Sequence, residues 1–494
     1  MSVSTPSVST PQVPGLAPQH RAVIGILLIA TFVVILNETI MNVALPRLMT
    51  ELGVSASTVQ WLATAFMLTM AVVIPITGFL LQRFSTRALF LAAMTLFSAG
   101  TLLAGVSPGF ELLLIARVVQ ATGTAIMLPL LITTVLTLVP AERRGAIMGS
   151  ISIVISVAPA IGPTISGLIL QSLSWRFMFL FVLPIALAAL AYGAKMLRNI
   201  GEQQRVSLDV LSIPLSALGF GGLVYGLSQA SGPAGLGSPL VIWPLAVSAL
   251  SLTVFIGRQL ALARRNAAPL LDLRVFGHRT FTLGVSLMVI AMMALFGGAI
   301  LLPIYLQTIR GLTSLQTGLL LLPGGLLMGL LAPGVGKLFD RFGPRWLVTP
   351  GTLLMTLALW QLGGIDAQTP VWWLLSLHLM LSGGLALLFT PVFTSALGSL
   401  PIKLYSHGSA ALSTLQQVAG AAGTALLITI MTGRTAALVG ENVAPALAQS
   451  AGLQSAFLVA AAISLLAVVL ALLMRPAPAQ AEEVEGEAAL AGHV

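Results

Sequence analysis

The chain lacks cysteine and has few charged residues. None of its 494 residues is cysteine, which excludes disulfides, thiolate nucleophiles and cysteine metal ligands. Charged residues make up 7% of the chain, whereas soluble domains carry about 25%. Its five histidines have no metal-ligand spacing, and no glycine-rich loop followed by Lys and Ser or Thr is present to bind a phosphate. These absences argue against an ordinary soluble protein, an enzyme, a metal or cofactor site, and the direct use of ATP.

Apolar residues make up 57% of the chain and lie in continuous runs of about 20 residues, the length that crosses a bilayer. Backbone groups inside a membrane must bond to one another, so continuous runs form helices, whereas barrel strands alternate apolar and polar residues. The sequence therefore predicts an all-α polytopic membrane protein with fourteen spans. The predicted spans are 22–45, 58–81, 88–106, 111–137, 146–171, 177–197, 208–228, 239–261, 280–307, 314–338, 346–364, 371–397, 407–432 and 453–474.

Basic residues lie mainly on one side of these spans. An even number of spans places both termini on one side, and eighteen of the 23 Lys and Arg fall on that side. Four fall on the other side, and Arg117 lies within a span. Because cytoplasmic loops carry an excess of Lys and Arg, this distribution predicts cytoplasmic termini. The net charge of +9 is thus a property of the cytoplasmic surface, and we expect no nucleic-acid partner.

A short basic motif occurs twice, as GFLLQRFSTR at 78–87 and GKLFDRFGPR at 336–345. The pairs that match at one offset of 258 include Gly78 and Gly336, Arg83 and Arg341, Phe84 and Phe342, and Arg87 and Arg345. That offset covers eight spans, so a repeat of six spans leaves two between the copies. Two homologous bundles around a central site are typical of alternating-access transporters. The predicted layout is a tail at 1–21, a six-helix bundle at 22–197, an inserted pair at 208–262, a linker at 263–279, a second six-helix bundle at 280–474 and an acidic tail at 475–494.

Glu38 and Arg117 are the two charged residues placed away from the ends of predicted spans. Glu38 is the only one of the 14 acidic residues that we place deep within a span, and an intramembrane carboxylate indicates a functional site such as a proton relay. A position near the outer end of the span, with contacts to lipid headgroups or Arg47, is the alternative. Arg117 in the fourth span costs about 3 kcal/mol to insert and therefore needs a polar partner. Glu111 or backbone carbonyls near the helix end are the alternatives to a role in coupling.

The fifth span carries small residues and a proline at regular spacing. Small residues allow helices to pack closely, and proline permits a bend. The positions are Gly149, Gly162, Pro163 and Gly167.

These motifs, together with RVVQATG at 117–123, resemble the major facilitator superfamily over nearly all of residues 22–474. More narrowly, the chain resembles the fourteen-span drug:proton antiporters, and most closely their lincomycin-resistance-type branch. The resemblance implies a proton-coupling role for Arg117, which we extend to Glu38, and an exporter motif in the fifth span. It also implies that the duplicated turns form a gating latch. The latch residues are Gly78, Arg83, Arg87, Gly336, Asp340, Arg341 and Arg345.

The chain departs from the family pattern in the first turn, in the first span and in the fifth span, where Ala158 and Ser166 replace two glycines. Gln82 and Ser85 stand in the first turn where an acidic residue and glycine are usual, although Gln82 can still hydrogen-bond a helix end. In the first span, Asn37 takes the usual place of an acidic residue and Glu38 follows one step later.

Polar and aromatic residues within spans could line a substrate pocket, although each alone is more often a helix–helix contact. The candidates are Asn37, Asn42, Gln60, Trp61, Gln120, Gln307, His378 and Gln416.

The sequence therefore predicts a monomeric, proton-coupled exporter of amphipathic, antibiotic-like compounds in a bacterial cell (inner) membrane. Its expected partners are the drug-like substrate, protons and the lipid bilayer. One alternative is an exporter of a specific metabolite or natural product. A second is a non-transporting membrane scaffold or sensor.

Overall fold

The computed structural model describes residues 17–140, 143–197, 199, 209–230, 235, 237–265 and 267–474. The tail predicted at 475–494, and most of the one predicted at 1–21, lie outside these ranges. Within them the chain is helical, with fourteen long helical segments. These are α1 Pro18–Leu52, α2 Ala56–Arg83, α3 Thr86–Gly105, α4 Phe110–Leu138, α5 Arg144–Ser172, α6 Arg176–Met196, α7 Ser212–Ala230, α8 Pro239–Arg264, α9 Arg279–Ile304, α10 Ser314–Phe342, α11 Arg345–Leu362, α12 Val371–Gly398, α13 Tyr405–Gly440 and α14 Pro445–Leu472.

Twelve of the fourteen helices in these ranges are long and apolar enough to cross a membrane. The other two are α7 and α11. A π-helical turn at Ala217–Gly221 interrupts α7, and α11 is short, begins with Arg345 and carries several Thr and Gln residues. A helix therefore occurs at every predicted position, but fourteen membrane spans are not confirmed and remain a prediction.

Helix α1 extends further than the predicted span 22–45 at both ends. Near its end, Arg47 and Glu51 lie one turn apart and form an ion pair with an N–O distance of 2.7 Å. The helix stops at Gly53, whose φ of 63° is left-handed and whose N–H bonds the Met49 carbonyl. Polar residues beyond the apolar run thus continue the helix until glycine ends it.

Successive helices run in opposite directions, so α1 begins on the same face at which α2 ends. We call this the basic face, because the duplicated motif and most of the described Lys and Arg residues lie there. Helix α5 packs along α10, and α2 packs along α13. Helix α7 contacts both α2 and α13, whereas α8 packs mainly on α7. These contacts join helices that are far apart in the sequence and position the sites below.

Candidate functional site

The guanidinium of Arg117 is buried within the helices, with 1% of the residue exposed. Its Nη1 donates to Gln120 Oε1 at 2.8 Å and to Asn37 Oδ1 at 3.3 Å, and its Nε donates to the Leu62 carbonyl at 3.4 Å. The Phe66 ring centroid lies 4.0 Å from its Cζ, a cation–π distance. Neutral dipoles and a ring therefore hold this cation. Glu111 forms no ion pair with it among the described residues, whereas the Leu62 carbonyl near the start of α2 corresponds to the backbone-carbonyl alternative.

Gln120 extends this cluster, because its Nε2 donates to Thr101 Oγ1 at 2.8 Å. Three of the predicted site residues, Asn37, Arg117 and Gln120, thus come together from α1 and α4. Thr101 was missed, since a threonine in an apolar helix gives no distinguishing signal in the sequence.

Glu38 is half-buried on α1 next to this cluster. It lies close enough to Arg117 for electrostatic interaction, but the two form no ion pair in the part of the chain that the structure describes. Arg47 bonds Glu51 instead, so the alternative contact between Arg47 and Glu38 is not formed. A carboxylate near an arginine that neutral groups already hold is chemically suited to gain and lose a proton. The side chain of Asn42, another pocket candidate, lies outside the described residues.

The glycines of the α5 motif have different surroundings. A Cβ at Gly149 would lie 2.6 Å from the Ala332 carbonyl oxygen of α10, and one at Gly162 would lie 2.3 Å from Thr39 Oγ1 of α1. Both distances are shorter than van der Waals contact, so these helices approach closely only with glycine. Gly167 has no atom within 4 Å of such a Cβ. The side chain of Pro163 lies outside the described residues.

On the basic face, Asp340 at the end of α10 caps the start of α5. Its carboxylate accepts hydrogen bonds from the N–H groups of Gly145 at 3.0 Å and Ala146 at 3.2 Å. The first N–H groups of a helix have no partner within it and carry partial positive charge, which favours a carboxylate. A Cβ at Gly336 would lie 2.3 Å from the Gly145 carbonyl oxygen, so glycine allows this approach. We call this contact the second junction.

Gln82 occupies the equivalent place at the end of α2 and contacts the start of α13. Its Nε2 lies 3.2 Å from Ser406 Oγ and 2.8 Å from His407 Nε2. We call this contact the first junction. In both junctions, the same motif position contacts the start of a long helix. The contact is neutral in the first junction and charged in the second.

The eighth position of the motif, where glycine is usual, differs between the two copies in residue and in conformation. Gly343 has a φ of 76°, which favours glycine, whereas Ser85 has a φ of −69° and caps α3 by accepting from the Ala88 N–H. Serine in the first turn is thus explained by its capping role.

The four arginines of the predicted latch lie at the surface of the basic face. Arg87 donates to the Ala194 carbonyl of α6 at 2.7 Å, and the Arg341 Cζ lies 5.1 Å from the centroid of the adjacent Phe342 ring. The contacts described for these two therefore lie away from both junctions, and Arg83 and Arg345 are exposed at the turns.

Two hydroxyl pairs join α4 to α13 and α12 to α5 near the basic face. Thr133 of α4 lies 2.8 Å from Ser409 of α13, and Thr390 of α12 donates to Ser152 of α5 at 2.7 Å. These pairs and His407 were not predicted, because a single Ser, Thr or His in the sequence does not show which neighbouring helix it faces.

The remaining pocket candidates are scattered. Gln60 and Trp61 are exposed at the start of α2, where Trp61 stacks on Tyr225 of α7 with ring centroids 5.7 Å apart. His378 of α12 lies 3.0 Å from the Leu321 carbonyl of α10. Gln307 is exposed after α9, and Gln416 is buried in α13. The structure does not bring these five together.

The sequence profile of the Major Facilitator Superfamily matches residues 27–424, and the chain belongs to this family of transporters. The prediction of a transporter rather than an enzyme is therefore confirmed. The lincomycin resistance protein LmrB of Listeria monocytogenes is 43% identical over 92% of this chain and 97% of that protein. LmrB of Bacillus subtilis is 41% identical over 91% of this chain and 94% of that protein. A multidrug resistance protein B homolog of Mycobacterium tuberculosis is 28% identical over 83% of this chain and 75% of that protein. The predicted resemblance to the lincomycin-resistance-type branch is confirmed.

Solved structures agree on the fold. The human organic anion transporter MFSD10 (TETRAN) aligns with a TM-score of 0.65 at 17% identity, covering 92% of this chain and all of that chain. The proton:xylose symporter XylE aligns with a TM-score of 0.63 at 15% identity, covering 91% and 94%. The chain is a multi-pass membrane transporter of the major facilitator fold, and it acts on a small-molecule substrate.

Proposed function

We propose that this transporter exports amphipathic, antibiotic-like compounds in exchange for protons by alternating access. The observation that carries this proposal is the half-buried Glu38 beside Arg117, whose guanidinium is bound by neutral groups. Protonation of Glu38 changes the net charge of this site, and it therefore changes the relative energies of two conformations. The names of the relatives that confer lincomycin or multidrug resistance support drug export as the direction.

The proposed conformational change separates two six-helix bundles, 22–197 and 280–474, with an inserted pair at 208–262. The two junctions and the hydroxyl pairs support this division, since each joins one proposed bundle to the other near the basic face. We propose that these contacts close the basic face in one state and break in the other. The contacts of α7 with α2 and α13 support a bracing role for the inserted pair.

We propose that the basic face is cytoplasmic and that the protein acts as a monomer in the bacterial inner membrane. The distribution of Lys and Arg supports this orientation. A transmembrane potential of 100 mV supplies about 2.3 kcal/mol per charge moved, so one or two protons suffice for useful export.

A drug-susceptibility panel in a pump-deficient bacterial host tests the export function. We expect the intact chain to raise the tolerated concentration of lincomycin and of other amphipathic drugs, and Glu38→Gln to lose this protection at equal expression. Protection limited to one compound would favour the specific-metabolite alternative. Absence of protection and of any transported compound would favour the scaffold or sensor.

A further inference from the structure

His407 lies buried at the first junction, with 3% of the residue exposed. Its Nε2 contacts Gln82, while a Cβ added at Gly78 would lie 3.1 Å from its Nδ1. Glycine on α2 therefore leaves the space that the imidazole fills. Nδ1 has no hydrogen-bond partner among the described residues. The ring is thus enclosed, with one nitrogen in a neutral contact and the other without one.

Asp272 and Arg274, which follow α8, interact electrostatically with His407. Asp272 is 2% exposed, and it accepts from Arg274 Nη2 at 2.6 Å and from Arg274 Nε at 3.0 Å. Burial raises the pKa of Asp272, but the hydrogen bonds from Arg274 outweigh it and leave this pKa below its ordinary value. The carboxylate is therefore already paired with Arg274, whose charge opposes the attraction of Asp272 for a charged imidazole.

Other charged groups lie further out or serve other contacts. The Arg144 Cζ of α5 lies 5.4 Å from the Tyr405 ring, and its nitrogens donate to the carbonyls of Leu136 and Val139. Arg83 and Lys403, at the neighbouring helix ends, are exposed to solvent. These cations disfavour an additional positive charge at the junction.

Hydrogen bonds to Gln259 hold the segment that carries Asp272 in position. Gln259 of α8, fully buried, accepts from the N–H groups of Leu270 at 2.8 Å and Leu271 at 3.3 Å. Its Nε2 donates to Ser212 of α7 at 2.6 Å. These hydrogen bonds hold the segment around Asp272 in place beside the first junction. The imidazole therefore stays out of contact with water while the junction is closed.

We propose that His407 makes closure of the basic face depend on the pH of the solution at that face. The junction closes around the neutral imidazole, because a buried cation without a compensating partner is strongly unfavourable. When the junction opens, water reaches the imidazole, which then titrates at the ordinary histidine pKa of about 6.5. Acid at the basic face therefore holds that face open and slows the transport cycle. This inference rests on the alternating-access function proposed above, and it concerns a titrating group separate from Glu38.

Electron paramagnetic resonance distance measurements test it. The chain has no cysteine, so Phe84→Cys and Ile402→Cys place two spin labels at exposed positions on either side of the first junction. The purified protein in lipid nanodiscs also carries Glu38→Gln, so that the proposed coupling carboxylate does not contribute. Distances are compared at about pH 7.5 and about pH 5.5, on either side of the ordinary histidine value.

We expect acid to move the population toward the longer distance, by up to about tenfold in the open-to-closed ratio between the two pH values. His407→Gln, which keeps a hydrogen-bonding group, is expected to lose this shift, and His407→Asn is the second variant. His278→Gln, at the start of α9 on the same face, is the matched control and keeps the shift. A distance distribution that ignores pH, or a shift that persists in both His407 variants, overturns the proposal.

Asp340→Asn in the same labelled background separates the two proposals. If Asp340→Asn lengthens the distance while acid has no effect, the proposed closure of the basic face by the junctions is supported and the role of His407 is wrong. If neither Asp340→Asn nor acid opens the basic face, both its proposed closure by the junctions and the role of His407 are wrong.

Discussion

At the residue scale, the environment of Arg117 is the unusual feature of the molecule. A cation inside an apolar bundle is normally expected beside a carboxylate, yet Gln120, Asn37 and a backbone carbonyl hold this one. Neutral partners satisfy the guanidinium without cancelling its charge. The charge therefore remains available to attract the carboxylate of Glu38, and its effect depends on how close the two approach in each conformation.

We predict that Gln120→Leu lowers both stability and transport. The variant removes hydrogen bonds to a buried cation and to Thr101, and hydrogen bonds to charged groups contribute about 1.5–3 kcal/mol. Thermal unfolding in detergent and drug uptake by vesicles are the measurements. Thr122→Val, at a half-buried position of the same helix where the hydroxyl donates to the Val118 carbonyl, is the control with little expected effect. Equal melting temperatures for Gln120→Leu and the control would show that this contact is unimportant.

Individual contacts were harder to predict than the residues that make them. The isolation of Glu38 and Arg117 in apolar runs marked both as functional candidates. The partners of Arg117 lie on α1, α2 and its own helix α4, and a sequence pattern does not give the rotation of one helix against another. The pocket candidates failed to converge for the same reason, since Trp61 and His378 each lie at a different helix contact.

At the element scale, glycine allows α5 and α10 to approach closely. The sequence motif placed Gly149, Gly162 and Gly167 together, but only the first two face another helix at short distance. Small residues at membrane-helix interfaces act by allowing backbone approach, so their effect depends on which face they occupy. The motif predicted a tight interface correctly at two positions, and the third has open space.

We predict that Gly149→Ala impairs transport and that Gly167→Ala does not. The added methyl at 149 would lie 2.6 Å from a carbonyl oxygen of α10, so the helices must separate, whereas the methyl at 167 meets no neighbour. Vesicle transport and melting temperature are compared at equal expression. The reverse order of effects would mean that the motif acts through something other than helix packing.

The ion pair between Asp209, which precedes α7, and Arg258 of α8 predicts how stability depends on pH. Arg258 donates to the two oxygens of Asp209 at 2.8 Å and 2.6 Å, and Ser212 donates to the same carboxylate. The Arg258 hydrogen bonds hold the pKa of Asp209 below its ordinary value. A carboxyl with a lowered folded-state pKa stabilises the fold above the unfolded value of about 3.9, and this contribution is lost as pH falls through the folded value.

We therefore expect Asp209→Asn to lower the melting temperature near neutral pH. The difference from the unmodified protein should shrink as the pH falls below about 4, where the native carboxyl takes up its proton. Glu441→Gln, an exposed carboxyl after α13, is the control. A difference that stayed constant across this pH range would mean that the ion pair does not contribute through its charge.

At the scale of the whole molecule, the repeat in the sequence corresponds to paired contacts on one face. Gln82 and Asp340 occupy equivalent motif positions, and each contacts the start of a helix in the other proposed bundle. The major facilitator fold was predictable because the duplicated turns and the long apolar runs are strong signals. The number of membrane-crossing helices was less secure, since α7 and α11 are short or interrupted.

We predict that Asp340→Asn weakens the second junction and shifts the protein toward a state open on the basic face. The neutral amide interacts less favourably than a carboxylate with the start of α5. Single cysteines introduced on the two faces should change their labelling by an impermeant maleimide in opposite directions. Lys337→Gln, an exposed residue on the same turn, is the control. Unchanged labelling on both faces would contradict a gating role for Asp340.

Proton-coupled drug export is tested most directly in inside-out membrane vesicles that hold an acid interior. In vesicles with the unmodified protein, added lincomycin should enter the interior and dissipate the proton gradient, as reported by a pH-sensitive dye. Glu38→Gln should bind lincomycin but do neither, while Glu111→Gln, an exposed carboxyl on α4, should behave like the unmodified protein. Accumulation of lincomycin that persists in Glu38→Gln, or after an ionophore has removed the gradient, would contradict the account.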